Sequence, residues 1–124
     1  MSSRDEFPGD VLRLLPLTPA VFYVMLALSS GPRHGYAIMQ ETATLSEGGF
    51  RMGPATLYST IQRLVELALI GETTEGGDGS GNDARRRYYE LTAMGRHLLE
   101  AEVKRMNSIV KRANARLIGR RAES

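Results

Sequence analysis

The chain has 124 residues, 42% of them hydrophobic and 24% charged, which fits one globular core and excludes wholesale disorder and collagen-like repetition. It contains no Cys, so disulfides, thiolate nucleophiles, iron–sulfur clusters and Cys-based zinc sites are excluded. The net charge is only +2, yet residues 1–84 sum to −5 and residues 85–124 to +7, a segregation that suits either a polyanionic partner or a solubilising basic tail.

Residues 1–16 read as an N-terminal arm, with a short helical turn at Val11 to Leu15 before Pro16. The arm opens on acidic residues with no apolar stretch of signal-peptide type, and a cytoplasmic protein is expected. The first helix begins at Thr18-Pro19, a capping side chain followed by a residue with no amide to lose. It runs to about Ser30, where Gly31-Pro32 stops it. Its apolar run, Pro19 to Leu28, is about half of the roughly 20 residues a membrane span needs, so a core helix is expected and no membrane partner. Being apolar nearly all round, it predicts burial on more than one side, and a second chain is one candidate to cover it.

A second helix is expected from about His34-Gly35 to Leu45, with Tyr36, Ile38 or Met39, and Ala43 facing inward. Ser46-Glu47-Gly48-Gly49 ends it. A third starts at Gly53-Pro54 and continues through Leu69, with Leu57, Ile61, Leu64 and Ala68 in one apolar stripe and Ser59, Gln62, Arg63 and Glu66 on the other face. From Ile70 the period changes to two. Ile70 to Thr74 and Arg86 to Leu91 are β-compatible and flank the polar, Gly-rich residues 76–83, which predicts a hairpin with a long tip and with Tyr89 and Leu91 on a shared core face. Thr92 then caps a final helix in which Leu99, Val103, Met106, Val110, Ala113 and Leu117 recur at heptad spacing, fitted either for a homodimer seam or for packing within the chain.

Three helices, a hairpin and a long helix make the order of a winged helix-turn-helix, mainly α (α+β), with a long C-terminal dimerisation helix. The expected divisions are the arm at 1–16, the winged DNA-binding domain at 17–91, and the dimerisation helix with its basic tail at 92–124. In that arrangement the third helix can enter the major groove of double-stranded DNA while the hairpin reaches the adjacent backbone. The candidate DNA-binding residues are therefore Thr56, Tyr58, Ser59, Thr60 and Arg63 on the helix, with Arg85, Arg86 and Arg87 on the wing. Tyr58 can touch a phosphate or pack beside Ile61 and Val65. The Arg run can grip DNA or form a solvated edge, with strand alternation sending Arg86 to the face opposite Arg85 and Arg87.

Leu17-Thr18-Pro19, Gly31-Pro32-Arg33-His34-Gly35-Tyr36-Ala37-Ile38, Gly53-Pro54-Ala55-Thr56-Leu57-Tyr58, Arg63-Leu64, Leu69-Ile70, Arg85-Arg86-Arg87-Tyr88-Tyr89 and Leu91-Thr92-Ala93-Met94-Gly95, taken in order, resemble the PadR-type transcriptional regulators. The resemblance implies a bacterial winged-helix repressor, dimeric through its C-terminal helix, acting on promoter DNA and often released by a small effector. Two departures stand out: Ala55 and Ala68 occupy positions where the family usually has Gly, the latter at a helix end that favours a left-handed residue. The chain has no Trp, so an effector mode that stacks on Trp does not carry over. An apolar or aromatic effector is instead expected between the first and final helices, against Phe22, Tyr23, Met25, Met106 and Ile109, because Met-rich surfaces adapt to varied ligands.

Nothing in the sequence points to an enzyme. His34 and His97 lack partners at metal-ligand spacing, and the Gly-rich stretch lacks the Lys and the following helix of a phosphate-binding loop, so neither metal nor cofactor is expected. The alternative from another class is a winged-helix protein-interaction module without specific DNA binding.

Overall fold

Thr18 and His34 each start a helix by accepting a hydrogen bond from an amide that would otherwise have no partner. The computed structural model describes residues 9–74 and 87–123. After a 3-10 helix at Gly9–Leu14 come α1 (Pro19–Ala27), β1 (Arg33–His34), α2 (Gly35–Leu45), α3 (Pro54–Glu66), β2 (Ile70–Thr73), β3 (Tyr88–Leu91) and α4 (Ala93–Glu123). Thr18 Oγ1 accepts from the Val21 amide at 3.3 Å, and His34 Nδ1 accepts from the Ala37 amide at 3.2 Å. α1 ends at Ala27 rather than near Ser30, because the amides of Leu28 and Ser29 tighten onto carbonyls three residues back and Gly31 then takes φ +145°. Arg33 closes this corner. Its Nε donates to the Ala27 carbonyl at 2.9 Å while its Nη2 pairs with Glu41 at 2.9 Å, tying the end of α1 to α2.

Three members of the expected α3 stripe, Leu57, Ile61 and Leu64, are buried in one core with Val24 and Met25 of α1, Leu28 just after it and Ile38 of α2, whereas the fourth, Ala68, lies beyond the helix and is exposed. On α2 the inward set is Gly35, Ile38 and Thr42: Ile38 is buried as expected, Ala43 is half-buried, and Tyr36 is exposed rather than inward. The buried Thr42 hydroxyl is satisfied by the Met39 carbonyl at 2.8 Å. The expected two-stranded hairpin is a three-stranded antiparallel sheet in the order β1-β3-β2. β1 pairs Arg33 with Tyr89 and His34 with Tyr88, so both tyrosines are buried, Tyr88 with its ring edge-on to His34. A two-residue strand has no periodicity for sequence reading to find.

α3 stops at Glu66, short of Leu69, because Ala68 adopts φ +60°. The chain then meets the start of α4 at close quarters. The Thr92 hydroxyl donates to the Ala68 carbonyl at 2.7 Å and accepts from the Gly95 amide at 3.0 Å, and the Thr92 amide donates to the Leu69 carbonyl at 3.1 Å. A Cβ at Gly95 would stand 1.9 Å from the Leu69 carbonyl oxygen. Only glycine lets the helix pass this close.

One buried carboxylate joins the two ends of the chain. Glu102 of α4 accepts from the Leu17 amide at 2.8 Å and from Arg105, and is 2% exposed. The Arg105 guanidinium and the Leu17 amide hold its carboxyl below the usual carboxylate range, against burial, which pushes it up. Beyond Glu102 the helix leaves the body of the protein: Val103, Met106, Ile109, Val110, Leu117 and Ile118 are all exposed. Among the described residues no helix is long and apolar enough to cross a membrane.

Gly95→Ala is expected to destabilise the protein by about 3 kcal/mol in urea or thermal unfolding, since the obstructing atom is backbone and cannot turn aside. Ala68→Gly is expected to stabilise by about 0.5–1 kcal/mol, the cost of a left-handed alanine less the extra freedom of the unfolded glycine. For Glu102 the folded pKa is depressed, so its contribution is present above the unfolded value of about 4.3 and is lost as pH falls through the lower folded value. Glu102→Gln is expected to lower stability at pH 7 by about 1–3 kcal/mol and to flatten the acid limb of a stability-against-pH profile.

Candidate nucleic-acid interface

The face of α3 opposite its buried stripe carries short polar side chains on a rigid frame. Thr56, Ser59, Gln62 and Arg63 are exposed, and Thr60 at the edge of the stripe is half-buried. The Ser59 and Thr60 hydroxyls donate to the Thr56 carbonyl at 3.1 and 2.7 Å, which leaves their lone pairs outward as acceptors. Arg63 makes no hydrogen bond or ion pair with any described residue, so its five donors are available to a partner. A planar guanidinium with that freedom can bridge O6 and N7 of a guanine.

The two margins of α3 differ. On one, Arg63 stands beside the segment that leads into α1, together with Leu64 and Leu67. On the other, Tyr58 faces the wing across a cleft of about 520 Å³ whose walls include Gln62, Glu66, Glu72, Arg87 and Tyr89. Tyr58 is exposed and rests against Gly35 at the start of α2, and Val65, its expected packing neighbour, is itself exposed. Burial, and after it the Glu72 carboxylate, hold the Tyr89 phenol above its ordinary value, so the charge of the cleft is set by Glu66, Glu72 and Arg87. Arg87 Nη1 lies 3.5 Å from Glu72 with both side chains more than half exposed, an arrangement worth little in water and easily traded for a phosphate. Arg85 and Arg86 lie outside the described residues, as does the tip of the wing.

The candidate dimer residues divide at Glu102. Leu99 is buried in the core of its own chain, whereas Val103, Met106, Val110, Ala113 and Leu117 are exposed along the projecting part of α4. The candidate effector residues are not gathered into one cavity within the single chain. Phe22 and Tyr23 are half-buried, Tyr23 stacking on Phe50 with ring centroids 5.2 Å apart, while Met106 and Ile109 are exposed on α4. Met25 is wholly buried within the core cluster, so it lines no surface. A groove of about 630 Å³ instead runs along α4, lined by Ser29, Arg96, Leu99, Val103 and Lys111 among others.

Sequence reasoning missed Gly35, which lies beside Tyr58 at the margin of this surface. Counting Tyr36 among the inward residues hid it; the signal was His34, whose capping role places Gly35 at the first helical position.

Comparison with known proteins places this geometry in context. Residues 24–101 match the profile of the "Transcriptional regulator PadR-like family". An uncharacterized 37.1 kDa protein of a Streptomyces fradiae transposon is 39% identical over 105 residues, covering 85% of this chain and 26% of that protein. The transcriptional regulator YqjI of Escherichia coli is 28% identical over 92 residues, covering 74% of this chain and 41% of its own length. The chain thus spans less than half the length of either relative. The crystal structure of a PadR family transcription regulator from Clostridium difficile superposes with a TM-score of 0.66 at 24% identity, covering 81% of this chain and 99% of the other, a likeness of fold.

Proposed function

Because the chain belongs to the PadR-like family of transcriptional regulators, which are not enzymes, we propose that its DNA-binding activity takes the form of operator recognition by a homodimer, acting as a repressor. Each protomer sets the first turns of α3 in a major groove and lays its wing along the flanking backbone. The observation that carries this reading is the outward face of α3, where Arg63 pairs with no described residue and Thr56 and Ser59 are exposed beside it. Thr60 and Tyr58 flank that face, and Arg85, Arg86 and Arg87 supply the wing's phosphate contacts. Two-fold symmetry then calls for an inverted repeat with half-sites about 34 Å apart.

The dimer is supported by α4. An isolated helix is marginal in water, and the part beyond Glu102 exposes Val103, Met106, Val110 and Leu117 in a single seam. A second copy laid along that seam also brings Met106 and Ile109 towards Phe22 and Tyr23 of one protomer or the other, which is where a small apolar effector would relieve repression.

Two measurements test this reading. In titrations of duplexes at several salt concentrations, Arg87→Ala is expected to weaken binding to every sequence alike and to flatten the salt dependence by about one unit. Arg63→Ala is expected to change sequence preference, by about 1–3 kcal/mol at one base pair. A wild-type chain that binds no duplex at low salt would turn the reading towards a protein-interaction module. In sedimentation at micromolar concentration the wild type is expected to run as a dimer and a Met106→Glu, Val110→Glu variant as a monomer or an unfolded chain; a wild-type monomer defeats the dimer.

A further inference from the structure

Glycine at the first position of a helix weakens it relative to alanine, so its presence at position 35 calls for a reason. The backbone does not supply one: among the described glycines only Gly31 and Gly48 have positive φ. Space does. Gly35 is buried, and a Cβ there would stand 2.7 Å from the Tyr58 hydroxyl oxygen, 3.0 Å from its Cε1 and 3.1 Å from its Cζ. The outer edge of the Tyr58 ring therefore lies against bare backbone at the start of α2. Its hydroxyl makes no hydrogen bond to any described residue, and the side chain is 53% exposed.

We propose that Gly35 is a positioning residue for DNA binding: by carrying no side chain it lets the Tyr58 phenol rest at the start of α2, with its hydroxyl free to donate to a backbone phosphate. This rests on the DNA-binding reading above. The atoms that a Cβ would meet belong to the far end of a flexible side chain and not to backbone. Gly35→Ala therefore turns Tyr58 into another rotamer while the fold holds. The phenol moves and the helix stays.

The test is a double-mutant cycle on binding to a fluorescein-labelled duplex of mixed sequence at low salt, because a phosphate contact needs no particular operator. Gly35→Ala and Tyr58→Ala are each expected to weaken binding by about tenfold, the effect of one hydrogen bond to a charged group. The double variant is expected to bind as Tyr58→Ala does, within about twofold. Gly35→Ala is expected to melt at or above the wild-type temperature, which separates loss of position from loss of structure. Three results overturn the proposal: Gly35→Ala binding as the wild type does, losses that multiply in the double variant, or a clear fall in the melting temperature of Gly35→Ala. If the wild type binds no duplex, the DNA-binding reading falls and this proposal with it; if the wild type binds and the cycle is additive, only the positioning role falls.

Discussion

A polypeptide that turns from a helix into a strand and later into a second, longer helix must bring three backbones together, and here they meet at the contact between Gly95 and Leu69. Because Gly95 has no side chain, the first turn of α4 lies on the carbonyl of Leu69, and Thr92 bonds both to that carbonyl and to its neighbour at Ala68. Leu69 leads directly into β2, so the wing and the long helix are fixed to each other at this junction. The same contact sets the direction in which α4 leaves the body, and with it where a partner helix could lie. A methyl group at Gly95 would have to displace backbone on both sides of the joint.

Glu102 makes a second joint two turns further along α4. A carboxylate taken out of water is tolerable only when its lone pairs are occupied, and the Leu17 amide and Arg105 occupy them. Leu17 immediately precedes the cap of α1, so the carboxylate fixes the entry of α1 against α4, while Arg96 fixes the far end of α1 by donating to the Ser29 carbonyl at 3.0 Å. α1 is thus held at both ends by the helix that would form the dimer. Its apolar circumference needs that: one side faces α2 and α3, the other α4. α4 thus covers from within the chain part of the apolar surface for which a second chain was one candidate.

The elements with strong periodicity were legible in the sequence. The stripe on α3, the turn into the wing and the start of α4 at Thr92 follow from spacing and capping chemistry alone, and so does the exposed polar face that makes a candidate interface. What was not legible has specific causes. β1 is two residues long and exists because β3 offers it an edge. Tyr36 faces outward because α2, starting at Gly35 as expected, buries the face that carries Gly35, Ile38 and Thr42. Leu99 belongs to the heptad seam by spacing, yet it is buried in its own chain, because the seam changes partner at Glu102 and a one-dimensional repeat carries no mark of where the body of the protein ends. Ala68 was the more informative departure: the resemblance implied a left-handed position there, and its φ of +60° places an alanine where glycine is favoured.

Gly35 and Gly95 are two glycines that a Cβ would not fit, and the atom each would meet decides what it does. At Gly95 the obstruction is a carbonyl oxygen at 1.9 Å, held by the chain on either side, so the glycine is a condition of folding. At Gly35 it is a phenol oxygen at 2.7 Å, at the end of a side chain with other rotamers open to it. The first constraint acts on the backbone and is felt as stability; the second acts on one exposed hydroxyl and leaves the core as it is. A residue type that reads identically in the sequence therefore serves the fold at one position and the surface at another, and only the identity of the neighbouring atom separates them.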